Sequence, residues 1–111
     1  MKVWLILFLF AIVQSGNAVS VILSLDDGWA DHFQAANDLT NLGVKGVFYI
    51  NSGRVDKNQR LSLDQLHQIA DQGHEIAGHT ILHKKLSIQN YSKQKDSICD
   101  DRNQLLEWGS M

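Results

Sequence analysis

Apolar residues occur along the chain in two alternating patterns, short runs and spaced stripes. Short, largely apolar runs at residues 19–25 and 44–50 predict two strands, and the short segment 74–78, which follows Gly73, predicts a third. The first run is nearly continuous, which is typical of a buried strand in a parallel sheet. Each run is followed by polar residues, so each predicted strand ends in a polar cluster or loop.

Between and after these runs, apolar residues recur at the spacing of a helix. A first helix is predicted over residues 31–42, and its apolar stripe consists of Phe33, Ala36, Leu39 and Leu42. A second helix begins at Ser62, which forms a capping-box pattern with Gln65, and its apolar face consists of Leu63, Leu66, Ile69 and Ala70. A third helix is capped by Ser87, and its shared face consists of Ile88, Tyr91, Ile98 and Leu105.

The resulting order is β-α-β-α-β-α, which predicts an α/β fold with a parallel sheet built from crossover units. In such folds the ligand site lies at the carboxyl ends of the strands. Side chains that follow the strands are therefore the first candidates for chemistry.

The first 18 residues have a pattern of their own. Lys2 precedes an apolar run over residues 3–13, and small residues lead to Ala18. This is typical of a secretory signal peptide, and the run is too short for a membrane span of ~20 residues. We therefore predict a signal peptide at 1–18, one domain at 19–111, a secreted or periplasmic location, and no stable membrane span after signal removal.

Charge and cysteine content exclude some classes of protein. The 111 residues include 10 Lys and Arg against 12 Asp and Glu, a net charge of −2, which excludes a basic nucleic-acid binder. Cys99 is the only cysteine, so no internal disulfide can stabilise the fold, and we expect it to be buried packing. Stability must come from core packing or from a metal.

Two polar clusters lie at predicted strand ends. Asp26 and Asp27 precede Gly28, and they are either a simple turn or a carboxylate pair in a cavity. His79 and His83 are four residues apart, so on a helical turn they would share a side; alternatively they are two unrelated loop histidines. Because both clusters end parallel strands, they are expected at one rim, where a carboxylate and two imidazoles suit Zn²⁺ or a similar divalent ion.

These residues also carry a family resemblance. The segment Ser24-Leu25-Asp26-Asp27-Gly28 resembles the T-F-D-D-G motif, and His79-Thr80-Ile81-Leu82-His83 the H-[ST]-x-x-H motif, of the polysaccharide deacetylases. That family is also called the NodB-type domain, or carbohydrate esterase family four. Residues 43–49 and 73–79 are similar to the same family's flanking sequence, and the resemblance runs over about residues 19–109.

The resemblance implies a fold, an activity and roles. The fold would be the first half of a distorted (β/α) barrel. Asp26 would be the catalytic base, and Asp27, His79 and His83 would be the ligands of a Zn²⁺-like ion. The reaction would be metal-dependent hydrolysis of the N-acetyl C–N amide bond of sugars in an N-acetylated polysaccharide, which makes the chain a hydrolase by family.

The pattern also departs from the family. The Arg-containing motif, the Asp-Trp motif and the late His that serves as general acid have no counterpart in this sequence, so we expect a domain truncated before them. The alternative hypothesis is a catalytically silent metal- or glycan-binding remnant. Two further residues have open roles: Trp29 is either a sugar-stacking surface or a hydrophobic plug, and His74 either supports the site or is simply hydrogen-bonded.

Overall fold

The computed structural model describes residues 19–110, so the predicted signal peptide at 1–18 lies outside the described residues. The strands are β1 (Leu23–Asp26), β2 (Gly46–Ile50) and β3 (Glu75–Gly78). The helices are α1 (His32–Asn41), α2 (Leu63–Asp71) and α3 (Tyr91–Glu107). Short 3₁₀ turns lie at Ser52–Arg54 and Leu86–Ile88.

The three strands form one parallel sheet in the order β1-β2-β3, which confirms the predicted α/β class. The register aligns Asp26 with Tyr49 and Tyr49 with Ala77. Because the strands are parallel and in register, the residues that follow β1 and β3 emerge at the same edge of the sheet, on either side of β2.

The core lies on one face of the sheet. Leu25, Phe48 and Ile76 are aligned across the three strands on this face, and Phe48 is fully buried. The core is completed by Ile50, at the end of β2, and by residues from the helices and loops: Ala36, Val55, Leu61, Leu66, Ile69 and Leu105. The opposite face carries side chains that remain at least partly exposed, including Asp26, Tyr49 and Ala77.

Local sequence chemistry fixes the helix limits. Ser62 and Gln65 form both hydrogen bonds of the predicted capping box, at 3.1 and 2.9 Å. Helix α1 ends before Gly43 and α2 before Gly73, which adopt φ values of +69° and +86°. Only glycine takes this left-handed conformation without steric cost, so both helices stop where the sequence predicts.

Three predictions for the ends of the fold are wrong. The first strand begins at Leu23 rather than residue 19 and is not buried: Leu23 is 41% exposed, because β1 is an edge strand with no neighbour on its outer side among residues 19–110. Helix α3 begins at Tyr91, and its buried residues are Asp101 and Leu105, while the other predicted face residues are exposed. Cys99 is exposed because it lies away from this face.

Within residues 19–110, no helix has the length and apolar character that crossing a membrane requires.

Candidate metal centre

Asp27 reaches the site through a turn at the end of β1. Adjacent strand residues point to opposite faces, so Asp26 and Asp27 could not share a direction in a regular strand. The chain turns at this point: Asp27 has φ +77° and Gly28 has φ +63°. The turn is held from the segment before α2, because Arg60 donates to the Asp27 carbonyl at 2.7 Å and the Leu61 N–H donates to the Gly28 carbonyl at 3.0 Å.

The two histidines lie on an irregular loop rather than on a helical turn. Thr80 has φ +66° and His83 has φ +55°, a conformation that costs an L-residue roughly 1–2 kcal/mol. The Thr80 hydroxyl accepts a hydrogen bond from the His83 N–H at 3.1 Å. Left-handed backbone at a β-branched residue persists only where the surroundings impose it, and such strain is concentrated at functional sites.

The turn and the loop bring Asp27, His79 and His83 together. Nε2 of each histidine lies 3.5 Å from Oδ1 of Asp27, and the three ligand atoms lie within 4.8 Å of one another. Two ligand atoms bound to one tetrahedral Zn²⁺ at 2.0–2.1 Å are about 3.4 Å apart. The spacing in the structure is therefore close to what a shared ion requires.

The state of the Asp27 carboxylate supports the same conclusion. Its Oδ1 atom is buried and has no hydrogen-bond partner among residues 19–110, although the side chain as a whole is 26% exposed. A buried carboxylate oxygen without a donor is costly, and a cation between it and two imidazoles would satisfy it. The residues present thus fit a divalent metal, with His83, at 52% side-chain exposure, on the open side.

The segment that follows β2 holds the histidine loop in place. Asn51 is buried, and its amide group donates to the carbonyls of His79 at 2.5 Å and Thr80 at 2.8 Å. The Gly53 N–H donates to the Ile81 carbonyl at 3.0 Å. A Cβ at Gly53 would lie 2.7 Å from Ile81 Cγ2, so only glycine fits there. In the sequence this segment is only a polar stretch after a predicted strand, and no pattern in it indicates this role.

Asp101 is a second residue that sequence analysis misses. Its carboxylate, on α3, accepts hydrogen bonds from the N–H groups of Ser52 and His79. A sequence pattern could have indicated it, because Asp101 is spaced between Ile98 and Leu105 at helical intervals, where an apolar residue is expected.

Asp26, the predicted base, is the exposed last residue of β1. The register places it beside Tyr49, whose ring centroid lies 6.0 Å from that of His79. Among residues 19–110 its carboxylate forms neither a hydrogen bond nor an ion pair. Its catalytic role stays a prediction.

The other singled-out residues lie outside the ligand set. His74 is buried at the opposite end of β3, where Nδ1 accepts from the Gly46 N–H at 3.0 Å, so it is a hydrogen-bonded structural residue. Trp29 is 40% exposed, and the Arg60 guanidinium lies 3.4 Å from the centre of its ring system. His32 lies near Asp31, Asp27 and Asp26; burial lowers its pKa although these carboxylates oppose the shift.

An open groove of about 470 Å³ adjoins the site. It runs between the histidine loop and α3, and its lining includes His79, His83 and Leu86, with the basic side chains of Lys84 and Arg102. The two histidines among the candidate ligands therefore border an open groove, whereas Asp27 does not line it.

Comparisons with known proteins agree with this geometry. The family model described as polysaccharide deacetylase matches residues 14–110, beginning within the predicted signal segment. The protein YxkH of Bacillus subtilis strain 168, whose name places it among polysaccharide deacetylases, is 26% identical over 83 residues, which are 74% of this chain and 30% of YxkH.

Solved structures show the same fold. The Streptococcus pyogenes deacetylase PplD, in complex with acetate, has a TM-score of 0.76 at 21% identity, over 78% of this chain and 40% of PplD. The Bacillus subtilis peptidoglycan deacetylase PdaC has a TM-score of 0.68 at 17% identity, over 81% of this chain and 44% of PdaC. This chain thus spans less than half the length of these relatives, and the match to their barrels is partial. With a family model matching most of its length, the chain belongs to the polysaccharide deacetylase family, carbohydrate esterase family four.

Proposed function

We propose that this chain supplies the metal site and the catalytic base of a polysaccharide N-deacetylase. The observation that carries the proposal is the convergence of Asp27, His79 and His83 around one buried carboxylate oxygen that has no hydrogen-bond partner in the described part of the chain. A single carboxylate and two imidazoles suit Zn²⁺, and three protein ligands leave positions for water and substrate. The proposed substrate is an N-acetylated polysaccharide, met outside the cytoplasm after removal of a signal peptide at 1–18.

A bound divalent ion would supply Lewis-acid chemistry, polarising a carbonyl oxygen and making water a stronger acid. The residues of this chain would supply the ligands and the base, while protonation of the leaving amine would need the general acid that has no counterpart in this sequence. Asp27, His79 and His83 would hold the ion, and Asp26, one residue away along the chain, would take the proton from the attacking water. The adjoining groove would place the polymer beside the site. Hydrolysis of an N-acetyl group releases acetate, and PplD was solved with acetate bound.

One observation favours a second candidate function. No hydrogen-bond donor or cation within residues 19–110 orients the Asp26 carboxylate, whereas the metal ligands are held by several contacts. A protein with fixed ligands and a free base would bind a metal or glycan without turnover. The chain would then be a catalytically silent metal- or glycan-binding member of the family.

A chimera distinguishes the two candidates. Residues 19–110 would replace the matched segment of YxkH, and acetate release from an N-acetylglucosamine oligomer would be measured with Zn²⁺ present. We expect release by the chimera and little or none by the 111-residue chain alone. Asp26→Asn should abolish release while keeping Zn²⁺ affinity, and His79→Ala should abolish both, because only the second change removes a ligand.

Asp31→Asn is the matched control, since Asp31 is an exposed aspartate whose side chain makes no capping hydrogen bond to α1. It should change neither quantity. Zn²⁺ binding with no acetate release from a folded chimera would favour the silent binder. Failure of the full chain to bind Zn²⁺ would refute both candidates as metal proteins.

A further inference from the structure

Helix α3 places one buried carboxylate against the ends of two strands. Asp101 is 1% exposed. Its Oδ1 accepts from the Ser52 N–H at 2.7 Å, and its Oδ2 accepts from the His79 N–H at 2.8 Å. Ser52 lies two residues after β2, and His79 directly follows β3. A single side chain therefore ties the helix to both strand ends.

The two hydrogen bonds of Asp101 constrain the backbone at His79 and at the segment that holds the histidine loop. The His79 N–H is shared with the Ile50 carbonyl, at 2.9 Å, so the first residue of the histidine loop is fixed from two sides. Ser52 adjoins Asn51, whose amide group holds the carbonyls of His79 and Thr80. Asp101 thus braces His79 directly and braces the segment that holds the remainder of the loop.

The position of the Asp101 carboxylate depends on the glycine at residue 78. A Cβ at Gly78 would lie 2.8 Å from Asp101 Oδ2, closer than a Cβ atom normally approaches, so glycine at this position lets the carboxylate reach the His79 N–H. No salt-bridge partner of Asp101 occurs among residues 19–110. Burying an unpaired carboxylate is expensive, and charge-assisted hydrogen bonds from two backbone groups offset the cost.

We infer that Asp101 is a positioning residue for the metal centre: it fixes the backbone of His79 so that Nε2 points at Asp27. This inference rests on the proposed metal site and goes beyond it, since Asp101 contacts no ligand atom. Groups that orient metal ligands typically change metal affinity about 10–100-fold when removed.

The test is Asp101→Asn in the full chain. Asparagine is the same size as aspartate, but its side chain has only one acceptor oxygen. Its amide NH₂ group would face the N–H group of either Ser52 or His79. We expect one of the two hydrogen bonds to be lost and the dissociation constant for Zn²⁺ to rise by about tenfold or more. Zn²⁺ affinity is measured by competition with a chromophoric chelator, at a temperature where circular dichroism shows each variant to be folded.

Asp100→Asn is the matched control, because Asp100 is exposed, lies one residue away and carries the same charge. It should bind Zn²⁺ like the unmodified chain. A second readout needs no metal: in Asp101→Asn, amide hydrogen exchange should speed up at His79 or Ser52. A purely structural role would lower the melting temperature and leave the Zn²⁺ affinity of the folded protein unchanged.

The outcomes separate the inference from the proposed function. If the unmodified chain binds Zn²⁺ and Asp101→Asn binds it within twofold, the positioning role is wrong while the metal site stands. If the unmodified chain binds no Zn²⁺, the proposed function itself is wrong. If Asp101→Asn fails to fold, Gly78→Ala is the test variant, because its methyl group displaces the Asp101 carboxylate without removing it. Unchanged Zn²⁺ affinity in Gly78→Ala would overturn the inference.

Discussion

Asp27→Asn should remove most of the stabilisation by Zn²⁺ without lowering the stability of the metal-free chain. Asparagine is the suitable replacement because Asp27 has φ +77°, a conformation that Asn tolerates at least as well as Asp. The substitution keeps the size of the side chain and removes its charge. Any change in Zn²⁺-dependent stability then reports on the carboxylate as a ligand rather than on the turn.

The magnitudes follow from the site. A ligand that binds only the folded state at one hundred times its Kd adds about 2.7 kcal/mol to the free energy of unfolding. For a domain of this size each kcal/mol raises Tm by about 4–8 °C, so Zn²⁺ should raise the melting temperature of the unmodified chain by roughly 11–22 °C. Without metal, the buried Oδ1 of Asp27 has no hydrogen-bond partner within residues 19–110, and an unsatisfied buried group costs about 1–3 kcal/mol. Asp27→Asn should therefore melt no lower than the unmodified chain in chelator and lose most of the Zn²⁺ shift.

The assay is thermal unfolding followed by circular dichroism at pH 8, in chelator and in excess Zn²⁺. Asp31→Asn is the control, since it makes the same chemical change at an exposed site, and its Zn²⁺ shift should equal that of the unmodified chain. Equal midpoints with and without Zn²⁺ in the unmodified chain would refute the metal site. A large loss of metal-free stability in Asp27→Asn would refute the claim that its carboxylate lacks a partner.

Three further predictions test the surroundings of the site. His74→Ala should destabilise the fold by about 1–3 kcal/mol in urea unfolding, because it leaves the Gly46 N–H unpaired, yet it should keep the Zn²⁺ shift. Gly53→Ala should weaken Zn²⁺ binding in calorimetry, because its Cβ would strike Ile81 in the histidine loop; unchanged affinity would contradict the close packing. His32 has a lowered pKa in the folded state, so the unfolded chain takes up a proton at this residue first as the pH falls below about 6.5. The free energy of unfolding should therefore fall on acidification, with a slope well under the one-proton limit of about 1.4 kcal/mol per pH unit. His32→Gln should reduce this slope, measured by urea titrations at about pH 5–8.

Local patterns in the sequence were sufficient for the alternation of strands and helices, for the limits of α1 and α2, and for the carboxyl ends of the strands. The capping box of Ser62 forms as predicted because both partners lie within one turn. The parallel topology follows from alternating elements and places Asp27 and the histidine loop at one edge without any long-range information. These features depend on residues close in sequence or on general rules of connection.

The rest depends on contacts between distant residues. The left-handed backbone of Thr80 and His83 is stabilised by the 51–54 segment, which the sequence shows only as a polar loop. The buried face of α3 was mispredicted because Asp101 occupies a core position by hydrogen-bonding to backbone groups, while Ile98 is half exposed. A hydrophobicity pattern cannot identify a buried charge whose partners are N–H groups elsewhere in the chain.

The ligands of the candidate site come from the two outer strands, yet both ligand-bearing segments are held by the chain that follows the central strand. Asn51 and Gly53 hold the histidine loop, and Arg60 and Leu61 hold the turn of Asp27 and Gly28. Residues 51–61 therefore link the two halves of the site, and a shift of this segment would change the distance between Asp27 and the histidines. A metal held between them would in turn oppose such a shift, so metal binding should slow amide exchange along 51–61 as well as at the ligands themselves.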